Sequence, residues 1–221
     1  MKFIIKILIV ISLFFSQYNF SQDGHFDSAY VVLNLNDSGS NTWYDLGAST
    51  GNTDFDGADL GIFDLGSDDL KLIGTQHNMS KCNGCNITGS LLYYRIYTYG
   101  SASGGYTGVS TSWSNNGNDG TCDTQQWQNL SLTTNLLNGL STGRYTIEIY
   151  SQATTSNGCD FYDSNSNNNY KAHFRIATYS VGNGNWNSGG TWYNSSEPSN
   201  SDYVHIKHDV TVTSSEVSGY L

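Results

Sequence analysis

Residues 52–57, Asn-Thr-Asp-Phe-Asp-Gly, place three short oxygen-bearing side chains at alternate positions ahead of a glycine. That spacing turns Asn52, Asp54 and Asp56 toward one side of a tight loop, with Gly57 supplying the turn. Calcium takes about six to eight oxygens, so Asp59 or backbone carbonyls would complete the shell. An EF-hand supplies a bidentate glutamate where this chain has Phe63, and no helical pattern flanks the loop. The calcium expected here is therefore a structural ion in a β-loop. Turn chemistry competes for the same residues. Residues 22–70 hold ten Asp and no Lys or Arg, and Asp side chains close turns on their own backbone.

Aromatic rings form the second chemical group. Trp43, Tyr44, Tyr97, Tyr99, Tyr106, Trp113 and Trp127 would make a platform. Sugar rings stack their C–H faces on Trp and Tyr, with Asn, Asp and Gln hydrogen-bonding around them. Trp113, Trp127 and Tyr106 are the expected ligand-binding residues, with a polysaccharide or cell-surface glycan as partner. About half of such rings are also needed for the core of a β protein. Catalytic constellations are missing. The three Glu (Glu148, Glu197, Glu216) are far apart in sequence, and no G-x-S-x-G, H-E-x-x-H or phosphate-cradling loop occurs. His205 and His208 are three apart in an extended segment, which puts them on opposite faces. The expectation is a protein that is not an enzyme.

The N-terminus sets the compartment. Lys2 and Lys6 supply positive charge, the run from Phe3 to Phe15 is almost wholly apolar, and Gln17-Tyr18-Asn19 ends it. This is the layout of a signal peptide over residues 1–21, too short to span a bilayer, with cleavage expected after Ser21. Its removal leaves seven of nine Lys and Arg against nineteen Asp and Glu, a net charge of −12. Such a surface repels nucleic acid and disfavours docking on anionic lipid. No second run could span a membrane. In an oxidising compartment Cys82, Cys85, Cys122 and Cys159 are expected as disulfides rather than zinc ligands, since a four-thiolate site usually shows two C-x-x-C pairs. Three pairings are possible; Cys82–Cys85 with Cys122–Cys159 is favoured.

The elements that must position these residues are strands. Short alternating runs separated by Gly, Asn, Ser and Asp clusters dominate the mature chain. About eight strands are predicted: 26–35, 60–65, 69–73, 90–99, 106–113, 125–132, 144–150 and 170–178. In the fourth, Leu92, Tyr94, Ile96 and Thr98 alternate with Tyr93, Arg95, Tyr97 and Tyr99. In the last, Ala172, Phe174 and Ile176 alternate with Lys171, His173 and Arg175. That number suits a two-sheet sandwich over residues 22–178. Leu140-Ser141-Thr142-Gly143-Arg144-Tyr145 resembles the tyrosine corner of immunoglobulin-like and fibronectin-like sandwiches, in which the Tyr hydroxyl bonds back to the preceding connection. An acidic loop, Cys159-Asp160-Phe161-Tyr162-Asp163 and then 164–169, joins the last two strands, and loops at that end of such a fold often carry partners.

After Thr178 the composition shifts. The stretch from Gly182 to Trp192, then Pro198 to Asp202, then Tyr203-Val204-His205-Ile206 and Val210-Thr211-Val212, resembles the opening of G8-like and right-handed β-helix modules. Residues 179–221 would be the start of a second β-rich module, incomplete because about three rungs are needed to bury a solenoid core. With Asn19–Gln22 and Asp54–Gly66, the arrangement resembles the N-terminal region of secreted, gliding-associated and sorting-domain-type surface proteins of Bacteroidetes. The resemblance implies export through the periplasm and a non-catalytic secreted or cell-surface adhesion module. It leaves two alternatives, an accessory domain of a β-helix polysaccharide lyase or hydrolase, and a structural spacer.

Overall fold

The computed structural model describes residues 24–36, 38–82, 86–101, 104–118, 123–156 and 158–213. The expected signal peptide, Cys85 and Cys122 lie outside them. The strands are β1 (Gly24–Leu35), β2 (Thr42–Asp45), β3 (Thr53–Asp54), β4 (Asp59–Asp64), β5 (Leu70–Lys81), β6 (Ile87–Thr98), β7 (Thr107–Ser110), β8 (Ser112–Asn118), β9 (Asp123–Asn129), β10 (Thr134–Asn135), β11 (Gly143–Thr155), β12 (Phe161–Asp163), β13 (Tyr170–Tyr179), β14 (Gly184–Asn185), β15 (Tyr203–His205) and β16 (Val210–Thr211). A single 3₁₀ turn at Gly189–Thr191 is the one helical element among the described residues.

The fold is an all-β sandwich. One sheet runs β3-β2-β1-β5-β9-β8, with β10 also on β5. The second runs β15-β13-β11-β6-β7, with β4 also on β13 and β12 also on β11. The predicted alternation decides which side chains meet between them. Ala29, Val31 and Leu33 of β1 and Leu70 and Leu72 of β5 pack against Leu92 of β6, Ile147 and Ile149 of β11 and Phe174 and Ile176 of β13. Burying a side chain of this size contributes roughly 1.5–3 kcal/mol. The tyrosine corner forms as expected: Tyr145 lies in the core, and its hydroxyl donates to the Ser141 carbonyl at 3.0 Å.

Several features differ from the sequence expectation, including β2 and β12, which no predicted strand covers. The predicted strand 69–73 continues to Lys81, because its inward positions turn polar and still find partners. Thr75 Oγ1 donates to the Tyr30 carbonyl at 2.6 Å, and buried His77 lies within 2.5–3.0 Å of Ser90, Thr75 and Ser151 hydroxyls. Gly74 is required where this strand bends, since a Cβ there would stand 1.8 Å from the Asn129 carbonyl oxygen. The predicted strand 106–113 is two strands in different sheets. The chain crosses at Thr111, whose backbone N–H and Oγ1 both donate to the Ser90 carbonyl, at 3.0 and 2.8 Å. Finally, β15 pairs in parallel with β13, so the segment after Thr178 extends the second sheet. Trp186, Trp192 and Val204 form a small separate core there, and Trp192 Nε1 donates to the Trp186 carbonyl at 2.7 Å.

Cys82 follows β5 and is disulfide-bonded, and Cys159 is exposed in the β11–β12 connection. No helix among the described residues is long and apolar enough to cross a membrane.

Candidate functional site

The outer face of the second sheet gathers a set of tyrosines around one carboxylate. The antiparallel register of β6 and β11 sets Tyr93 opposite Tyr150, Arg95 opposite Glu148 and Tyr97 opposite Thr146. Leu92, Ile147 and Ile149 face the core, so these alternate residues face outward. Directly opposed side chains on one face of a sheet interact, and here they build a covered ion pair. Glu148 is only 4% exposed although its strand face points away from the core.

The cover is a closed hydrogen-bond network. Arg95 Nη2 donates to Glu148 Oε2 at 2.9 Å and to Oε1 at 3.1 Å. The Tyr97 hydroxyl donates to Oε2 at 2.7 Å and the Tyr106 hydroxyl to Oε1 at 2.6 Å. Asn169 Nδ2 donates to Oε1 at 2.7 Å and to the Tyr106 oxygen at 2.8 Å. The Arg95 guanidinium also lies 4.5 Å from the Tyr106 ring centroid. Burial on its own would raise the Glu148 pKa. The donors from Tyr106, Asn169, Tyr97 and Arg95 outweigh it and hold the carboxyl at about 2. Burial and the hydrogen bond to Glu148 push Tyr97 and Tyr106 up to about 12. This carboxylate stays ionised with its oxygens fully occupied. It is a fixed strut for the rings around it and is poorly suited to move protons near neutral pH.

Beside the strut is an aromatic wall. Tyr93 stacks on Tyr150 with centroids 4.8 Å apart, Tyr106 meets Tyr150 edge-on at 5.0 Å, and Tyr162 of β12 continues the wall 6.5 Å away. Tyr162 is 53% exposed. Tyr150 and Tyr162 line a shallow pocket of about 290 Å³ with Ser164, Asn167 and Asn169. The 164–169 loop supplies the amide side. Asn165, Ser166, Asn167 and Asn169 all take positive φ, between 46° and 68°, a region that non-glycine residues other than Asn and Asp seldom enter. Three contacts hold it so. Asn169 N donates to the Ser164 carbonyl at 2.8 Å, Asn165 Nδ2 donates to Asp56 Oδ2 at 3.1 Å, and Lys171 N donates to Asp56 Oδ1 at 2.8 Å. Aromatic faces, amides and a hydroxyl around a solvent-open pocket can stack on and hydrogen-bond to a polyhydroxylated ring.

The residues singled out from sequence are distributed differently. Tyr106 belongs to this face. Trp113 and Trp127 are direct partners across β8 and β9 in the other sheet. Trp127 packs beside a small core of Met79, Ile87, Ala153 and Phe161, whereas Trp113 is 54% exposed on the edge strand and donates to Asn116 Oδ1 at 3.0 Å. The three are thus not one platform. Of the loop expected to hold calcium, Asn52 N donates to Thr50 Oγ1 at 3.2 Å, Asp54 is exposed in β3, Asp56 braces the 164–169 loop, and Asp59 pairs with Arg175 at 2.7 Å. Among the described residues no three His, Cys, Asp or Glu side chains converge as a metal site. Tyr162, Asn167 and Asn169 lie in the 159–169 loop that the sequence offered as a partner-carrying connection, whereas Tyr150 was not singled out as a binding residue. The available signal was the outward parity of Tyr93 and Tyr150 in two strongly alternating strands.

No family model and no curated protein matches the chain. Among solved structures it is similar to the carbohydrate binding module of the muscle glycogen-targeting subunit of protein phosphatase-1, at 19% identity and a TM-score of 0.25. That match covers 45% of this chain and 64% of the other, so it spans under two thirds of that module. A likeness this shallow carries no weight for the site, which stands on its own geometry.

Proposed function

We propose that the protein is a non-catalytic, secreted or cell-surface glycan-binding module that takes a polysaccharide on the outer face of its second sheet. The observation that carries this reading is the tyrosine wall opening on an amide-lined pocket. Rings of this kind give large, rigid contact area at low entropic cost, and the Glu148 network fixes Tyr106 and Asn169 before any ligand arrives. The signal-peptide-like residues 1–21 support export.

Calorimetric titration against a panel of soluble polysaccharides tests the reading. Tyr162→Ala should weaken the best binder about tenfold, as loss of one stacking face would. The Tyr150→Ala/Tyr162→Ala double variant should abolish measurable binding, and Trp113→Ala should bind like the parent. Full affinity in the double variant would refute the location. A protein that bound none of the panel would favour a spacer role.

A further inference from the structure

At the far end of the same face, six residues along β11 from Tyr150 and so about 20 Å away, sits Arg144. Its strand register places it directly opposite Arg175 of β13. Two like charges opposed across a ladder repel; only Arg175 forms a direct salt bridge with Asp59, which also attracts Arg144 through space. Arg175 Nη2 donates to both Asp59 oxygens, at 2.7 and 2.8 Å. Arg144 has no carboxylate partner among the described residues, and its Nε is buried without a hydrogen bond. The guanidinium is held by stacking instead, its Cζ 3.6 Å from the Tyr99 ring centroid, while His173 meets that ring edge-on at 5.0 Å. The nearby Asp202 is engaged elsewhere, accepting from Thr142 Oγ1 at 2.5 Å and from Ser199 N at 2.7 Å. Arg144 and Tyr99 line a solvent-open cavity of about 570 Å³ together with Asn200, Ser201 and Tyr203.

A stacked guanidinium without a direct salt bridge among the described residues, beside an open cavity, is unusual on a chain with nineteen Asp and Glu against nine Lys and Arg. At physiological salt the screening length is about 8 Å, so the more distant acidic surface is screened at this spot, and Asp59, already engaged by Arg175, offsets Arg144 only in part. Planar guanidinium forks match carboxylate and sulfate oxygens. We infer that Arg144, backed by Tyr99, is a subsite for the anionic group of an acidic sugar, at one end of a glycan lying along β11. This rests on the glycan reading and adds the charge of the ligand to it.

The test compares a polyuronate, a sulfated polysaccharide and an uncharged polysaccharide, each titrated into the full chain and its variants. The parent should bind at least one charged polymer about tenfold or more tightly than the uncharged one, with affinity falling as salt rises. The carboxylated and sulfated arms identify which anionic group is preferred. Arg144→Gln should erase that preference and leave binding of the uncharged polymer unchanged. Arg144→Lys should keep part of it, since it retains charge without the stacked fork. Equal affinity for all three polymers, or a preference that survives Arg144→Gln in protein with an unaltered melting point, would overturn the subsite and leave the glycan reading standing. Loss of binding to every polymer on Tyr150→Ala/Tyr162→Ala bears on the glycan reading alone.

Discussion

Glu148→Ala should destabilise the fold by about 3–5 kcal/mol, the range for removing one partner of a buried ion pair. The cost comes from what remains. Arg95, 19% exposed, keeps a charge without a counter-ion, and Tyr97, Tyr106 and Asn169 lose their shared acceptor. Glu148→Gln should cost less but remain clearly destabilising, because an amide group would face donors from three sides. Urea unfolding followed by tyrosine fluorescence measures this, and a loss below about 1 kcal/mol would show that the network contributes little. The pH dependence has a fixed sign. The folded pKa of about 2 lies below the ordinary value of 4.5. The network's contribution is therefore complete above about pH 4.5 and is lost as pH falls through 2.

A second large effect lies at milder acidity and comes from His77. Its ring is fully buried between the sheets, and burial pulls its pKa down from 6.5 to about 3. The Thr75 hydroxyl proton is committed to the Tyr30 carbonyl, so His77 Nε2 carries the ring proton and donates to Thr75, while Nδ1 accepts from Ser90. A second proton, on Nδ1, would place a desolvated charge between the sheets. The unfolded chain takes up a proton near pH 6.5 and the folded chain only near pH 3, so stability falls steadily between those values as pH is lowered. A gap of this size corresponds to roughly 4–5 kcal/mol when fully developed. His173, whose pKa is also lowered by burial and by Arg144, adds in the same direction. Urea midpoints between pH 7 and 4.5 should fall steeply in the parent and more gently in His77→Gln, whatever its starting stability. Parallel slopes in the two proteins would contradict the assignment.

The sandwich was legible in sequence wherever alternation was clean. The alternating sets of β6 and β13 are those predicted, and the Gly143–Tyr145 turn formed its corner. Legibility ended where inward positions are polar. Thr75 and His77 hide the second half of β5, because their burial depends on hydroxyls and a carbonyl supplied by β1, β6 and β11. The site was legible as aromatic composition and as the 159–169 connection, whose residues line the pocket. Trp113 and Trp127 stood out as the richest stacking surfaces, yet Trp127 was drawn against a core cluster. The wall of Tyr93, Tyr150 and Tyr162 exists because of cross-strand register and the short β12 pairing, and one sequence does not encode register visibly. Asp56 shows the same limit. Its spacing suited a cation, and in the fold it holds the loop that lines the pocket.

The most direct test of the account is a chemical-shift map of the protein titrated with its tightest-binding polysaccharide. The account predicts that shifts concentrate on Tyr93, Tyr106, Tyr150, Tyr162 and the 164–169 loop, with the Trp113 and Trp127 indoles unmoved. Shifts centred on those two indoles, or confined to the sheet of β8 and β9, would contradict it.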